Sequence, residues 1–153
     1  MKLTEKQETL LEVIESASIV YLSTMDAEGF PSTRAMLNLR NKEQFPHLIA
    51  MYEKEENPLT VYLTTNTSSA KIKEIAANSK AALYFCEPAT FEGTMLQGKI
   101  EIITDKNFKH QVWMKGWELY YPEGIDSEDY SMLRFIPNRL KSYAEFHVET
   151  EKI

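Results

Sequence analysis

Residues 59–78, LTVYLTTNTSSAKIKEIAAN, join a predicted strand to a predicted helix and are the most informative segment of the chain. The segment Leu59–Thr65 is rich in β-branched and aromatic residues, which favour strands. From Thr67 to Asn78 the pattern becomes helical, with Ile72 and Ile75 on one face and a start rich in serine and threonine. The sequence therefore predicts one short helix directly behind a strand.

Strand patterns continue on both sides of this unit, whereas only two other helices are predicted. The further strands are Ile19–Met25, Phe30–Leu39, Leu48–Tyr52, Lys80–Glu87, Thr94–Thr104, Ser131–Ile136 and Leu140–His147. One helix opens the chain behind a capping box of Thr4 and Gln7 and is expected to cover a barrel end; another runs from an Asp105 cap to Trp117. Because strands and helices do not alternate regularly, the pattern favours a mainly β fold, a closed antiparallel barrel with flanking helices, over a doubly wound parallel sheet.

Two local patterns are interpreted as structural. The charged run Glu53–Pro58 is predicted to be a solvated loop. Trp113 and Trp117 lie four residues apart in a predicted helix, so they share a face. They could wall a ligand pocket, but packing on the barrel is the favoured interpretation for aromatic residues at this spacing.

Composition and charge limit the classes of function. The 153 residues fit one domain, residues 1–153, and the net charge of -6 disfavours nucleic acid and anionic membranes as partners. A single cysteine, Cys86, cannot form an internal disulfide, and no apolar stretch could span a bilayer, which indicates the cytoplasm. The three histidines share no metal-ligand spacing, so no metal site is predicted.

The segment Thr64–Lys71 has the composition of an anion site. It is rich in hydroxyl and amide side chains and ends in a lysine at a predicted helix start. Unpaired amide groups at a helix N-terminus, hydroxyl donors and a lysine charge can together hold a phosphate. The alternative, ordinary N-capping by one serine or threonine with Lys71 in solvent, is equally compatible with the sequence.

Arg34 is the second unusual residue, because it lies in a strand and shares a face with the apolar Met36. An arginine there could supply a fork of donors to phosphate oxygens. The alternative, a surface residue near a barrel rim, is the slightly favoured interpretation from the residues alone. The five glycines form neither a dinucleotide-binding fingerprint nor a Walker loop, and no serine-hydrolase elbow is present.

The order of short motifs resembles a known family. The motifs are Ser23-Thr24-Met25, Gly29-Phe30-Pro31, Arg34-Ala35-Met36, Val61–Thr65 leading into Ser68–Lys71, Asn78, Ala81–Phe85, Gly98, Asp105, Trp113 and Tyr121–Gly124. Their order is similar to that of the pyridoxamine 5′-phosphate oxidase-like FMN-binding split barrels, and within them to the general-stress-protein-26-like branch. The resemblance extends over residues 5 to 145.

The resemblance implies a six-stranded antiparallel split barrel that forms a homodimer, with FMN held at the interface. The residues implied at the cofactor are Arg34, Ala35, Met36, Leu37, Thr64, Thr65, Ser68, Ser69 and Lys71. Arg34 would reach the phosphate or ribityl chain, and backbone groups of Met36 and Leu37 would face the flavin ring. Thr64 and Thr65 would lie by the ring and ribityl chain, and Ser69 with Lys71 would hold the phosphate.

Departures from the family pattern narrow the expected activity. Ala70-Lys71 replaces an Arg-Lys pair, and Gly93 falls near the position of a flavin-contacting glutamine, with Gln97 four residues later. The arginine and tryptophan that grip pyridoxamine phosphate have no clear counterpart, although Arg134 and Arg139 are available. The resemblance therefore implies an FMN-dependent oxidoreductase with another substrate, and reduced nicotinamide as a candidate electron donor. Its alternative is a non-catalytic FMN-binding module for stress response or sequestration; a barrel without a ligand is the third reading.

Overall fold

A curved antiparallel sheet, described over residues 1–153 of the computed structural model, forms the body of the protein. Its strands are β1 (Ile19–Met25), β2 (Pro31–Leu37), β3 (Val61–Asn66), β4 (Lys80–Glu87), β5 (Glu92–Ile103), β6 (Tyr130–Ala144) and β7 (His147–Lys152). The helices are α1 (Glu5–Ser16), α2 (Ile49–Tyr52), α3 (Ala70–Ala77) and α4 (Lys106–Val112), with short 3-10 turns at Pro46–Leu48 and Trp117–Leu119. None of the helices is long and apolar enough to cross a membrane.

The strand order β2-β1-β4-β5-β6-β3 curls the sheet into a barrel. All pairings are antiparallel, and the outer strands β2 and β3 come into contact without forming a ladder. The barrel is therefore split at this seam, and the predicted six-stranded mainly β fold is confirmed. The seventh strand, β7, pairs only with the end of β6 and was not predicted.

The barrel interior is filled by apolar residues that alternate along the strands. It includes Val20 and Leu22 of β1, Val61 and Leu63 of β3, Leu83 and Phe85 of β4, and Leu133 and Phe135 of β6. Ile14 of α1 joins this cluster, so the opening helix packs against the barrel core as expected. Its capping box also forms, because Thr4 and Gln7 exchange hydrogen bonds between side chain and backbone.

A second, aromatic cluster lies on the outside of β3 and β6. Tyr62 and Tyr130 from the strands pack there with residues from α2, α4 and the turn at Trp117–Leu119. The rings of Trp113 and Trp117 meet edge to face, with centroids 5.9 Å apart. The favoured interpretation of this pair as packing residues is thus confirmed.

Two of the predicted elements near this cluster are wrong. Leu48–Tyr52 is helical rather than a strand, because Leu48 and Tyr52 lie four residues apart and both face the aromatic cluster. The predicted helix to Trp117 ends at Val112, and Trp117 belongs to a separate turn after Gly116, whose φ of 101° suits glycine.

The last two predicted strands are one strand, β6, of 15 residues. Pro137 lies within it, opposite Gly98 at a register shift, where a missing amide hydrogen is tolerated. The chain then turns at Glu145 and Phe146 into β7. Lys6 of α1 binds Glu149 and Glu151 of β7 and holds this added strand against the first helix.

Candidate functional site

The candidate site lies beside the seam of the barrel, where β2 and α3 meet the end of β1. β2 contributes Arg34, and α3, which follows β3 directly, contributes Lys71 and Glu74. The two halves of the site are about forty residues apart in sequence, yet the hydrogen bond between Arg34 and Glu74 joins them. Closure of the barrel therefore creates this cluster.

The Arg34 guanidinium is fixed by four acceptors. Nη1 donates to the Thr24 hydroxyl at 2.6 Å, to the Ser32 carbonyl at 2.8 Å and more weakly to the Leu22 carbonyl at 3.4 Å. Nη2 donates to Glu74 Oε2 at 2.9 Å. With its side chain 23% exposed, Arg34 is an anchored, largely buried cation rather than a solvated rim residue.

Lys71 lies one helical turn before Glu74, the residue of α3 that pairs with Arg34. Burial and the charge of Arg34 lower the pKa of Lys71, while Glu74, one helical turn further on, raises it. No carboxylate lies within ion-pair distance of Lys71, whereas Arg34 is paired with Glu74. Of these two cations, Lys71 is therefore the one whose charge is not matched by a direct partner.

The start of α3 has no side-chain cap. Ser69 is the N-cap residue, but its hydroxyl lies 3.2 Å from the Thr65 hydroxyl instead of accepting from an amide of the first turn. Ordinary N-capping by a serine or threonine side chain, the alternative left open by the sequence, is thus not the arrangement found. The Ile72 amide donates to the Ser69 carbonyl at 3.2 Å, whereas the amides of Ala70 and Lys71 keep their capacity to bind an anion.

Ser68 has a different neighbour from Ser69. Its amide donates to Asp129 Oδ1 at 2.8 Å, and Asn66 donates to the other oxygen of this carboxylate. These hydrogen bonds, with the Ser68 amide first, keep the pKa of Asp129 below its ordinary value. Ser68 is therefore engaged with the loop before β6 and not with the pair of cations.

Thr64 and Thr65 point to opposite faces of β3, since side chains alternate along a strand. Thr65 is buried beside Ser69 on the side of the barrel interior. Thr64 lies at the Tyr121 hydroxyl on the side of the aromatic cluster. The structure brings Thr65, but not Thr64, together with Ser69.

β2 presents the remaining predicted residues at a sheet edge. It pairs only with β1, so its other edge carries backbone groups that no neighbouring strand uses. Met36 packs against the interior cluster, Leu37 against the aromatic cluster, and Ala35 is exposed on the outer face. Backbone atoms at Met36 and Leu37 are thus placed at an open edge beside Arg34.

Sequence reasoning missed Glu74 and Thr24. Glu74 lies three residues after Lys71, a spacing that puts both on one helical face and could have identified it. Thr24 stood out only as part of the Ser23-Thr24-Met25 motif, and its contact with Arg34 was not predicted, because only the pairing of β1 with β2 brings the two together.

The departures in the later strands have structural counterparts. Gly93 lies against the Tyr84 side chain, and a Cβ added at Gly93 would be 2.6 Å from Tyr84 Cζ. Tyr84 thus fills the space above position 93. Arg134 pairs with Glu55 and Glu101 away from the site, and Arg139 lies on the surface near Gln97.

Glu74 is expected to contribute stability that is lost in acid. The hydrogen bond from Thr24, followed by that from Arg34, lowers the pKa of Glu74. The contribution is therefore fully present above the ordinary glutamate pKa of about 4.3 and disappears as the pH falls through the lowered value. Urea unfolding at neutral pH and at about pH 3 should show a gap in unfolding free energy between wild type and E74Q that shrinks on acidification. An equal gap at both pH values would contradict this role.

Comparisons with known proteins agree with the geometry. Residues 6–144 match the sequence profile of the family described as pyridoxamine 5′-phosphate oxidase. A solved structure from Clostridium acetobutylicum, of a protein related to general stress protein 26 of B. subtilis in the pyridoxinephosphate oxidase family, is 33% identical. The match covers 99% of this chain and 97% of that one, with a TM-score of 0.79. No curated protein matches the chain.

Two more distant structures share the fold. General stress protein 26 from Bacillus anthracis is 14% identical over 98% of this chain and 100% of its own, with a TM-score of 0.71. A pyridoxamine 5′-phosphate oxidase-related, FMN-binding protein from Nostoc punctiforme is 14% identical over 100% of this chain and 99% of its own, with a TM-score of 0.62.

Proposed function

Because the chain belongs to the pyridoxamine 5′-phosphate oxidase family, we propose that it binds FMN beside the seam between β2 and β3. The observation that carries this proposal is the bond of Arg34 to Glu74 on α3, the helix whose uncapped first turn carries Lys71. Two cations, free helix amides and a serine hydroxyl are a donor set that suits a phosphate monoester. The protein from Nostoc punctiforme, which has the same fold, is described as FMN-binding, and this agrees with the proposal.

Each part of the site has a proposed task. Lys71, the Ser69 hydroxyl and the first amides of α3 would hold the phosphate. Arg34 would donate to the phosphate or the ribityl chain, with its orientation fixed by Thr24 and Glu74. The open edge of β2 at Met36 and Leu37 would offer backbone groups to the flavin ring. The flavin, when bound, supplies the redox chemistry, while these residues bind and orient it.

We also propose that a second copy of the chain completes the site. On the outer face of the sheet, Ala35, Tyr21, Tyr84 and Met95 form one row across four strands. Tyr84 is 39% exposed and neighbouring Ile19 is 40% exposed, so this row is an apolar surface of the single chain. Packing of two such faces would bury it and give a homodimer, which light scattering of the purified protein can test.

The proposed activity is that of an FMN-dependent oxidoreductase acting in the cytoplasm on a small molecule other than pyridoxamine phosphate. The side chain of Tyr84 over Gly93, and the engagement of Arg134 with Glu55, argue against the substrate contacts of the oxidases proper. The single, unpaired Cys86 is compatible with a reducing compartment.

The test begins with purification. A flavoprotein is yellow, and its denatured extract contains FMN; a colourless protein that also fails to take up added FMN would overturn the proposal. The holoprotein is then mixed with NADH or NADPH in the absence of oxygen. Bleaching of the flavin supports an oxidoreductase. If dithionite bleaches the bound flavin but neither NADH nor NADPH does, the non-catalytic binding module is favoured.

A further inference from the structure

The proposed phosphate site contains an acid. Glu74 approaches Arg34 with Oε2 2.9 Å from Nη2, and its side chain is only 12% exposed. A carboxylate in this position is unexpected beside a ligand that is itself an anion. Its presence therefore requires a reason within the site.

Glu74 is held in place from two directions. The Thr24 hydroxyl accepts a hydrogen bond from Arg34 and donates one to Glu74, so that the three side chains form a closed triangle. The hydrogen bond from Thr24 is also the main reason for the lowered pKa of Glu74, which keeps the carboxylate ionised at neutral pH. The triangle is thus a fixed part of the site and carries no net charge.

The net positive charge of the site is smaller than the negative charge of a phosphate group. Arg34 and Lys71 supply two positive charges, and Glu74 removes one of them. A phosphate monoester carries a charge of about -1.5 to -2 at pH 7. Lys71 and the helix start are therefore left to meet most of the phosphate charge, since Ala70 offers no second cation.

We infer that Glu74 is a specificity-determining residue that limits the preference of this site for phosphorylated over unphosphorylated flavin; the inference rests on the proposed FMN site. Its carboxylate repels the phosphate of FMN but has no charge to repel in riboflavin. Arg34, neutralised and oriented by Glu74, is suited to donate to the ribityl hydroxyls that both ligands share.

The ratio of two affinities tests the inference directly. Wild type and E74Q are titrated with FMN and with riboflavin at low ionic strength, following flavin fluorescence. Loss of one nearby negative charge should tighten FMN binding about tenfold and leave riboflavin binding within about twofold. An unchanged or weaker affinity of E74Q for FMN, or equal tightening for both ligands, would overturn the inference.

Two matched variants separate charge from geometry. E12Q removes the same charge from the exposed face of α1, where Glu12 forms no ion pair, and should change neither affinity. E74D keeps the charge and shortens the side chain, so its ratio of FMN affinity to riboflavin affinity should stay near that of wild type. If this ratio rises as much in E74D as in E74Q, the effect is due to geometry and the inference is contradicted.

Wild type alone provides a further measurement should E74Q fail to fold. With one net positive charge at the site, its preference for FMN over riboflavin should not exceed about a thousandfold, and a larger preference would overturn the inference. If wild type binds neither ligand, the proposed function itself fails. If it binds FMN and E74Q leaves the ratio unchanged, only the role of Glu74 fails.

Discussion

Lys71→Ala is expected to weaken FMN binding by about 1.5–3 kcal/mol, the contribution of a hydrogen bond to a charged group. Lys71 has no ion-pair partner within the chain, and burial beside Arg34 lowers its pKa. A phosphate would therefore gain a direct charge partner there without displacing another residue. Titration of the apoprotein with FMN, followed by flavin fluorescence, measures the loss.

The control for this variant lies two residues further along α3. Lys73 is exposed, so Lys73→Ala removes the same charge from the solvent side of the same helix. It should change FMN affinity by less than about 0.5 kcal/mol, as is usual for surface substitutions. Riboflavin binding should be the same in both variants. Equal losses of FMN affinity for Lys71→Ala and Lys73→Ala would count against a phosphate at Lys71.

Gly98→Ala is expected to lower the free energy of unfolding by about 3 kcal/mol or more, at the upper end of what overpacking a core costs. A Cβ at this position would lie 2.7 Å from Pro137 Cα and still closer to the Ile136 carbonyl oxygen. Both atoms belong to the backbone of β6 at the register shift, so neither can rotate away. Relief requires β5 and β6 to separate, which urea unfolding would detect.

Gly93→Ala is the comparison that isolates this cause. Position 93 lies in the same strand, but the atoms that a Cβ would meet belong to the Tyr84 side chain. Because these atoms are the far end of a side chain that can change its rotamer, the loss of stability should be clearly smaller. If Gly93→Ala is as destabilising as Gly98→Ala, the backbone of β6 is not the source of the effect.

Local sequence patterns were sufficient to predict most of the helices and strands. They failed where contacts between distant segments determine the secondary structure or the burial of a residue. The capping box at Thr4 and the helix behind β3 formed as predicted. Leu48–Tyr52 was predicted to be a strand from its residue types, yet the aromatic cluster selects a helix there. In the same way, the run Glu53–Pro58 was predicted to be solvated, but Glu55 accepts hydrogen bonds from Tyr62 and Arg134.

Buried polar residues show the same limit. Arg40 donates to the Thr60 carbonyl at 2.8 Å and lies over the Tyr52 ring, 3.9 Å from its centroid. Nothing in the residues next to Arg40 indicates this burial, because its partners come from α2 and from the segment before β3. From sequence alone a charged side chain is predicted to be exposed, because its burial requires acceptors that only the fold brings to it.

Most of the strands, the opening helix and the polar helix start with Lys71 follow from the sequence alone, because they depend on short-range periodicity and capping. The sequence also singled out Arg34 as unusual in its strand. The contact of Arg34 with Glu74 and Thr24 depends on the tertiary fold, since these residues come from three elements that closure of the barrel brings together. The net charge at the proposed phosphate site depends on the contact between Arg34 and Glu74, and no local pattern along the chain predicts that contact.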